Sequence, residues 1–208
     1  MKILIADDHS IVRRGLQQII ATQPGWRVTT EVSKADDVLP ALRRDSVDVL
    51  VLDVSLGGRS GIDLLEHIRS EFQSLPILML SMHDEEHYAI RCLRAGASGY
   101  IQKDSSPDEL IHAIERVAAG HTYFSDAVAD QLAVEVIRGS AGLPHERLST
   151  REFEVFRLIA GGKTPTDIAE VLHLSVKTVS TYRSRILEKT GFRSNAEIIA
   201  YAIRSGLL

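Results

Sequence analysis

The chain has 208 residues, of which 44% are hydrophobic and 25% charged, with a formal net charge of −4 and one cysteine, Cys92. This composition is ordinary for a globular protein, one cysteine excludes an intramolecular disulfide, and no apolar run reaches the length of a membrane span. The charge is unevenly spread: residues 1–125 hold 13 Lys and Arg against 18 Asp and Glu, whereas residues 144–208 hold 10 against 7. An acidic part and a basic part predict two domains with different partners.

Five short apolar runs recur in the first half: Ile3 to Ala6, Val28 to Val32, Val49 to Leu52, Ile77 to Leu80 and Gly99 to Ile101. Each precedes a longer amphipathic stretch, which predicts an α/β fold with a parallel sheet and helices on both faces. Apolar residues that run on without alternating fit strands buried on both sides. Ser106-Pro107-Asp108-Glu109 supplies a cap, an N1 proline and a Glu at N3 for a helix to about Ala119, which Gly120 stops. Residues 126–138 read as one more helix, and Gly139 to Pro144 is small and flexible. Residues 1–120 are thus expected to form one domain and 121–144 a linker with one helix.

Beyond Arg147 the pattern is helical. A capping box at Ser149 to Glu152 opens a helix to Ala160; Thr164 to Asp167 caps a second, Ile168 to Leu172. Ser175 caps a third, Val176 to Lys189, and Ser194 to Glu197 caps a fourth that ends near Arg204. Residues 145–208 are expected to be a small all-α, four-helix domain.

The strand Val49 to Leu52 ends on a bare carboxylate, Asp53, and the first strand ends on Asp7 and Asp8. In an open parallel sheet the carboxyl ends of the strands share one edge, where sites form. If strands one and three are neighbours, three like charges converge, and a divalent cation relieves the repulsion. All-oxygen donors with water suit Mg²⁺. Strands four and five bring Ser81 and Lys103 to the same edge. A cation, an ammonium and a hydroxyl can hold the three oxygens of a phosphoryl group while Asp53 accepts it.

Ile5-Ala6-Asp7-Asp8-His9, Val51-Leu52-Asp53, Leu80-Ser81, Ala95-Gly96-Ala97-Ser98-Gly99-Tyr100 and Lys103 closely resemble the receiver domain of bacterial two-component response regulators. The resemblance implies a (βα)5 doubly wound sheet of strand order 2-1-3-4-5. It implies that Asp53 takes phosphate from a sensor histidine kinase and that Asp8 and Asp53 ligate Mg²⁺. Asp7 would act largely through water, and Ser55 would offer its backbone carbonyl. Ser81 and Lys103 would bind phosphoryl oxygens, and Tyr100 would swing inward as the switch. The sequence departs from many receivers at Leu56-Gly57, where they carry Met-Pro. Two glycines, Gly57 and Gly58, predict a looser loop there. His83 and Ser55 flank the site.

In the basic half, Thr164 to Lys189 has helix-turn-helix spacing. Val179, Tyr182 and Ile186 share one buried face of the third helix, so Lys177, Thr181, Ser184 and Arg185 face outward. A helix presenting small polar and basic groups suits a major groove. Thr178 and Arg183 are candidates for phosphate contacts. Residues 145–208 resemble the LuxR-type DNA-binding domain, and the whole chain resembles a NarL/FixJ-type regulator. That implies a third helix that reads double-stranded DNA at a two-fold promoter site and a fourth that helps form a homodimer once Asp53 is phosphorylated. Many relatives carry Lys where this chain has Ser180, so its salt dependence is expected to be shallower by roughly one contact.

The chain is therefore expected to be a cytoplasmic regulator of transcription, and no enzyme beyond transfer to its own Asp53. Two alternatives stay open. An aspartyl-phosphate hydrolase also mounts a nucleophilic Asp on a parallel strand, but needs an acid where Ser55 stands. A regulator controlled by protein contact would leave the pocket vestigial.

Overall fold

The computed structural model describes residues 1–57, 59–82, 85–126, 128–130 and 143–207. The chain divides into two compact units, Met1–Ile137 and Arg138–Leu208.

The first unit is built on a five-stranded parallel sheet: β1 (Lys2–Ala6), β2 (Arg27–Val32), β3 (Val49–Asp53), β4 (Ile77–Ser81) and β5 (Gly99–Gln102). The strand order is β2-β1-β3-β4-β5, as the receiver resemblance implies. Between the strands run α1 (Ser10–Ala21), α2 (Ala35–Arg44), α3 (Gly61–Glu71) and α4 (Glu85–Arg94), and α5 (Pro107–Ala118) follows β5. Every residue of β3 and β4 is buried. On one face Ile3, Ile5, Val49, Val51, Leu78 and Leu80 pack against Leu16 and Ile20 of α1 and Leu110, Ala113, Ile114 and Val117 of α5. Strand alternation turns Leu4, Leu50, Leu52 and Met79 to the other face, and all four are fully buried. The edge strand β2 alternates exposed and half-buried residues, because an edge has less to cover it.

The chain after β3 forms a small antiparallel ribbon, in which Ser55 pairs with Ser60 and Leu56 with Arg59. This differs from the looser loop expected at Leu56-Gly57. Gly57 takes φ +58°, a left-handed turn conformation open to glycine and closed to proline. Gly58 and His83 lie outside the described residues.

After α5 the chain returns to the sheet. Tyr123 forms a parallel bridge with Gly99, so the first unit extends past residue 120. Residues 126 and 128–130 are helical, and the rest of the helix expected over 126–138 and the part of the expected linker up to Gly142 lie outside the described residues.

Among its described residues the second unit holds a 3₁₀ turn (Pro144–Arg147) and four helices: α6 (Thr150–Ala160), α7 (Pro165–Val171), α8 (Val176–Thr190) and α9 (Asn195–Arg204). Capping boxes close the starts of α6 and α7 through Ser149 with Glu152 and Thr164 with Asp167. Ser175 and Ser194 accept backbone N–H groups at the starts of α8 and α9. The core gathers Phe153, Phe156, Ile168, Val179, Ile186, Ile198 and Ala202. Tyr201 packs edge-on to Phe156 and shares a 2.7 Å hydrogen bond with His145 Nδ1. The turn between α7 and α8 places His173 at φ +53°.

Candidate phosphoacceptor site and nucleic-acid interface

The parallel strands end together, so the acids of β1 and β3 meet. β1 pairs with β3 in the register Ala6–Leu52, which puts the following residues, Asp7 and Asp53, side by side. Both are buried. Lys103, just past β5, reaches into the pair: its Nζ lies 2.7 Å from Asp53 Oδ2 and 2.7 Å from Asp7 Oδ2. The first contact is a hydrogen bond. The second is an ion pair at the same distance. Asp7 Oδ1 accepts the His9 N–H at 2.7 Å, and Asp53 Oδ1 accepts the Ser55 N–H at 3.1 Å.

Burial drives the Asp53 carboxyl up to about 6, with a further push from Asp7, and Lys103 and the Ser55 N–H hold it back. Burial alone would lower the Lys103 ammonium, but the attraction and hydrogen bonds of Asp53 and Asp7 raise it above its ordinary value. One ammonium faces three acids, so the site keeps an excess of negative charge.

Donor atoms of Asp7, Asp8, His9 and Asp53 all lie within 4.8 Å of one another. Their carboxylate oxygens and the uncompensated negative charge fit a hard divalent cation. Asp8 is the more exposed of the acids, and its Oδ2 accepts the Gly57 N–H at 3.1 Å. The ribbon after β3 is thus tied to the acid at the tip of β1.

Ser81 is fully buried at the end of β4, one residue beyond the Leu80 that pairs with Asp53. Its carbonyl accepts the Lys103 N–H at 2.7 Å. The structure therefore brings Asp7, Asp8, Asp53, Ser81 and Lys103 to one edge, with Ser55 beside them. Tyr100 lies on the neighbouring strand β5. It pairs with Met79, two residues back along β4 from Ser81, and its side chain is already buried.

Three contributors were not among the expected site residues. Gly61 approaches β3 so closely that a Cβ there would sit 2.0 Å from the Asp53 carbonyl oxygen. Its N–H donates to Val54 O at 2.7 Å. Gly57 holds Asp8 through its backbone, and the His9 imidazole turns back onto the acids. A His directly after an acid pair was the only legible signal among the three.

In the second unit, α8 buries Val179 and Ile186 and half-buries Tyr182. Lys177, Ser180, Thr181, Ser184 and Arg185 are exposed, and Thr178 and Arg183 are half-buried. The hydroxyls of Ser180, Thr181 and Ser184 bond back to carbonyls four residues earlier, at 3.0 to 3.1 Å. Thr178 caps with Ser175, and Arg183 Nε donates to Asn195 Oδ1 at 2.7 Å, tying α8 to α9.

Residues 3–115 match the response regulator receiver domain, and residues 146–202 match the bacterial regulatory proteins of the luxR family. The response regulator UvrY of Escherichia coli (strain K12) is 33% identical over all of this chain and 95% of its own length. The oxygen regulatory protein NreC of Staphylococcus carnosus is 35% identical over all of this chain and 99% of its own. Among solved structures, RcsB of Salmonella enterica serovar Typhimurium, bound to promoter rprA with the phosphomimetic BeF₃⁻, aligns with a TM-score of 0.62 and 28% identity over 97% of each chain. A LuxR-family regulator from Aurantimonas sp. SI85-9A1 is 37% identical over 65% of this chain and 97% of its own, with a TM-score of 0.60. The chain belongs to the response regulators of two-component systems, a transcription regulator with a receiver domain and a LuxR-type DNA-binding domain.

Proposed function

We propose that Asp53 accepts a phosphoryl group from the phosphohistidine of a sensor histidine kinase and that the modified chain binds a two-fold promoter site in the cytoplasm as a homodimer. The observation that carries the reading is a buried carboxylate, Asp53, with the Lys103 ammonium 2.7 Å away at a strand edge shared with two further acids. A carboxylate oxygen of Asp53 forms the new bond to phosphorus as the bond from phosphorus to imidazole nitrogen breaks, and the imidazole leaves with a proton from solvent. Lys103 neutralises charge on the transferring group, and the Ser81 hydroxyl holds one of its oxygens. Asp7, Asp8, Asp53 and the Ser55 carbonyl would hold Mg²⁺. When bound, that ion supplies positive charge to the phosphoryl oxygens. The chain acts on itself and turns over no external substrate, which separates it from aspartyl-phosphate hydrolases.

Phosphorylation would bias a two-state equilibrium through Ser81 and Tyr100. On DNA, Lys177, Thr178, Ser180, Thr181, Ser184 and Arg185 of α8 would reach bases and phosphates, with Arg183 holding the backbone through the nitrogens that Asn195 leaves available.

The test is labelling of the full chain with acetyl phosphate and Mg²⁺, followed by operator binding and gel filtration with and without BeF₃⁻. Asp53→Asn is expected to abolish labelling, and BeF₃⁻ to promote dimers and tighten DNA binding. Full labelling of Asp53→Asn would refute the acceptor assignment. Operator binding indifferent to BeF₃⁻ would favour control by protein contact.

A further inference from the structure

The exposed face of α8 divides into two ridges. Val176, Ser180 and Ser184 follow one another at i, i+4 and i+8, and Lys177, Thr181 and Arg185 lie beside them at the same spacing. All of these residues are exposed. The hydroxyls among them already act as donors: Ser180 Oγ to Val176 O at 3.0 Å, Thr181 Oγ1 to Lys177 O at 3.0 Å and Ser184 Oγ to Ser180 O at 3.1 Å. A hydroxyl has one hydrogen and two lone pairs. With the hydrogen laid along the helix, each of the three offers only acceptor lone pairs to whatever faces α8. Donors on this face are left to Lys177, Arg185 and the one spare hydrogen of the Ser175 and Thr178 hydroxyls, which bond each other at 2.8 Å. Val176 opens the first ridge: it is the first residue of the helix after the cap Ser175, and it is 45% exposed.

The major groove answers such a face unequally. Acceptor oxygens pair with the amino groups on adenine N6 and cytosine N4, and find no donor on guanine O6 and N7 or on thymine O4. A branched apolar side chain at the start of the helix, where recognition-helix residues reach base edges, matches the thymine methyl group. Only an A·T pair presents an amino donor and a methyl group together. We infer that Val176, Ser180, Thr181 and Ser184 read adenine·thymine pairs, the hydroxyl oxygens accepting from adenine N6 and Val176 covering the thymine methyl, while guanine is left to Lys177 and Arg185. This rests on the reading of α8 as the helix that enters the major groove.

The experiment uses the full chain with BeF₃⁻ and duplexes that the native chain selects from random-sequence DNA. Fluorescence anisotropy compares each selected duplex with versions altered at single A·T pairs. Uracil for thymine removes the methyl group, purine for adenine removes the N6 amino group, and 7-deazaadenine removes the N7 acceptor. Uracil at a contacted thymine is expected to weaken the native chain about four-fold, and Val176→Ala to erase that penalty. Loss of the amino group at a contacted adenine should cost about five-fold. One of Ser180→Ala, Thr181→Val and Ser184→Ala should erase this second penalty while the other two keep it. 7-Deazaadenine at the same adenine should change binding less than about two-fold, because the hydroxyls do not donate. A 7-deazaadenine penalty without an amino-group penalty would show that they do donate, and would overturn the inference. So would thymines that all tolerate uracil, or a uracil penalty that survives Val176→Ala. Lys177→Ala combined with Arg185→Ala should weaken every duplex and reduce its salt slope. Affinity that neither this double variant nor the single ones alter would overturn the placement of α8 in the groove as well.

Discussion

The Tyr100 backbone N–H donates to the Tyr123 carbonyl at 2.9 Å, and the Tyr123 N–H donates to Ser98 O at 3.0 Å. The chain leaving α5 is thus stitched to the strand that carries the aromatic residue assigned as the switch. Gly99 lies between the two bonds, and a Cβ on it would fall 3.0 Å from both the Cβ and the carbonyl oxygen of Tyr123. The same Cβ would meet Leu78 Cδ1 at 3.0 Å. Gly99→Val adds still more bulk and is expected to pry the strap off. The cost should be about 2 kcal/mol in the urea unfolding of the first unit, from overpacking and lost hydrogen bonds. Hydrogen exchange should show the Tyr100 and Tyr123 amides losing protection while those of β3 keep theirs. Protection at Tyr100 and Tyr123 equal to the native chain would mean that the strap tolerates a side chain there.

Gly61→Ala should be harsher. Its Cβ would land 2.0 Å from the carbonyl oxygen of Asp53, and backbone cannot yield as a flexible side chain does. Either the start of α3 or the end of β3 must move. We expect a loss of about 3 kcal/mol. Acetyl phosphate labelling of the remaining folded protein should also fall several-fold, because the displaced atom belongs to Asp53, the residue proposed as the acceptor. Thermal unfolding and labelling, both measured on purified folded protein, check the two parts separately.

These contacts mark where sequence reading stops. The central strands were legible because burial on both faces leaves unbroken apolar runs, as in Val49 to Leu52. The helices of the second unit were legible because Ser149 with Glu152 and Thr164 with Asp167 write their caps at a fixed spacing. α2 was legible as the amphipathic stretch after the second apolar run, although Pro40 sits inside the helix. Gly57, Gly61 and Gly99 matter through backbone that is distant in sequence or brought close by a turn, and no local pattern records that. Arg69 is the clearest case. Its guanidinium bonds the carbonyls of Phe72, Gln73, Leu75 and Gly96 and the Ser98 hydroxyl, joining the end of α3 to the loop before β5. In the sequence it reads as one more charge on a helix.

Arg69→Lys follows directly. A lysine has one compact ammonium and cannot span acceptors on both segments. Carbonyls of a half-buried loop would be left without donors, at a cost of about 2 kcal/mol. Urea unfolding of the first unit measures it. A change within error would show that water takes over these carbonyls.

The second unit offers a test by pH. Glu152 accepts the Ser149 N–H at 2.8 Å as the N3 residue of a capping box, and the Lys189 ammonium at 2.6 Å. Burial pushes its carboxyl up, but the Lys189 hydrogen bond and attraction and the Ser149 bonds outweigh that and hold it below the ordinary 4.5. The unfolded chain therefore takes up the proton first as pH falls. The stabilisation is complete above about pH 4.5 and is lost as pH drops through the lower folded value. Glu152→Gln keeps an acceptor for the cap but cannot titrate. The stability difference between native chain and variant should be flat from pH 7 to about 5 and shrink steadily below 4.5, read from thermal unfolding of the second unit. A difference that holds constant down to pH 3 would show that the charge on Glu152 adds nothing beyond its shape. Glu152→Ala removes cap and pair together and should cost about 1 to 2 kcal/mol at pH 7.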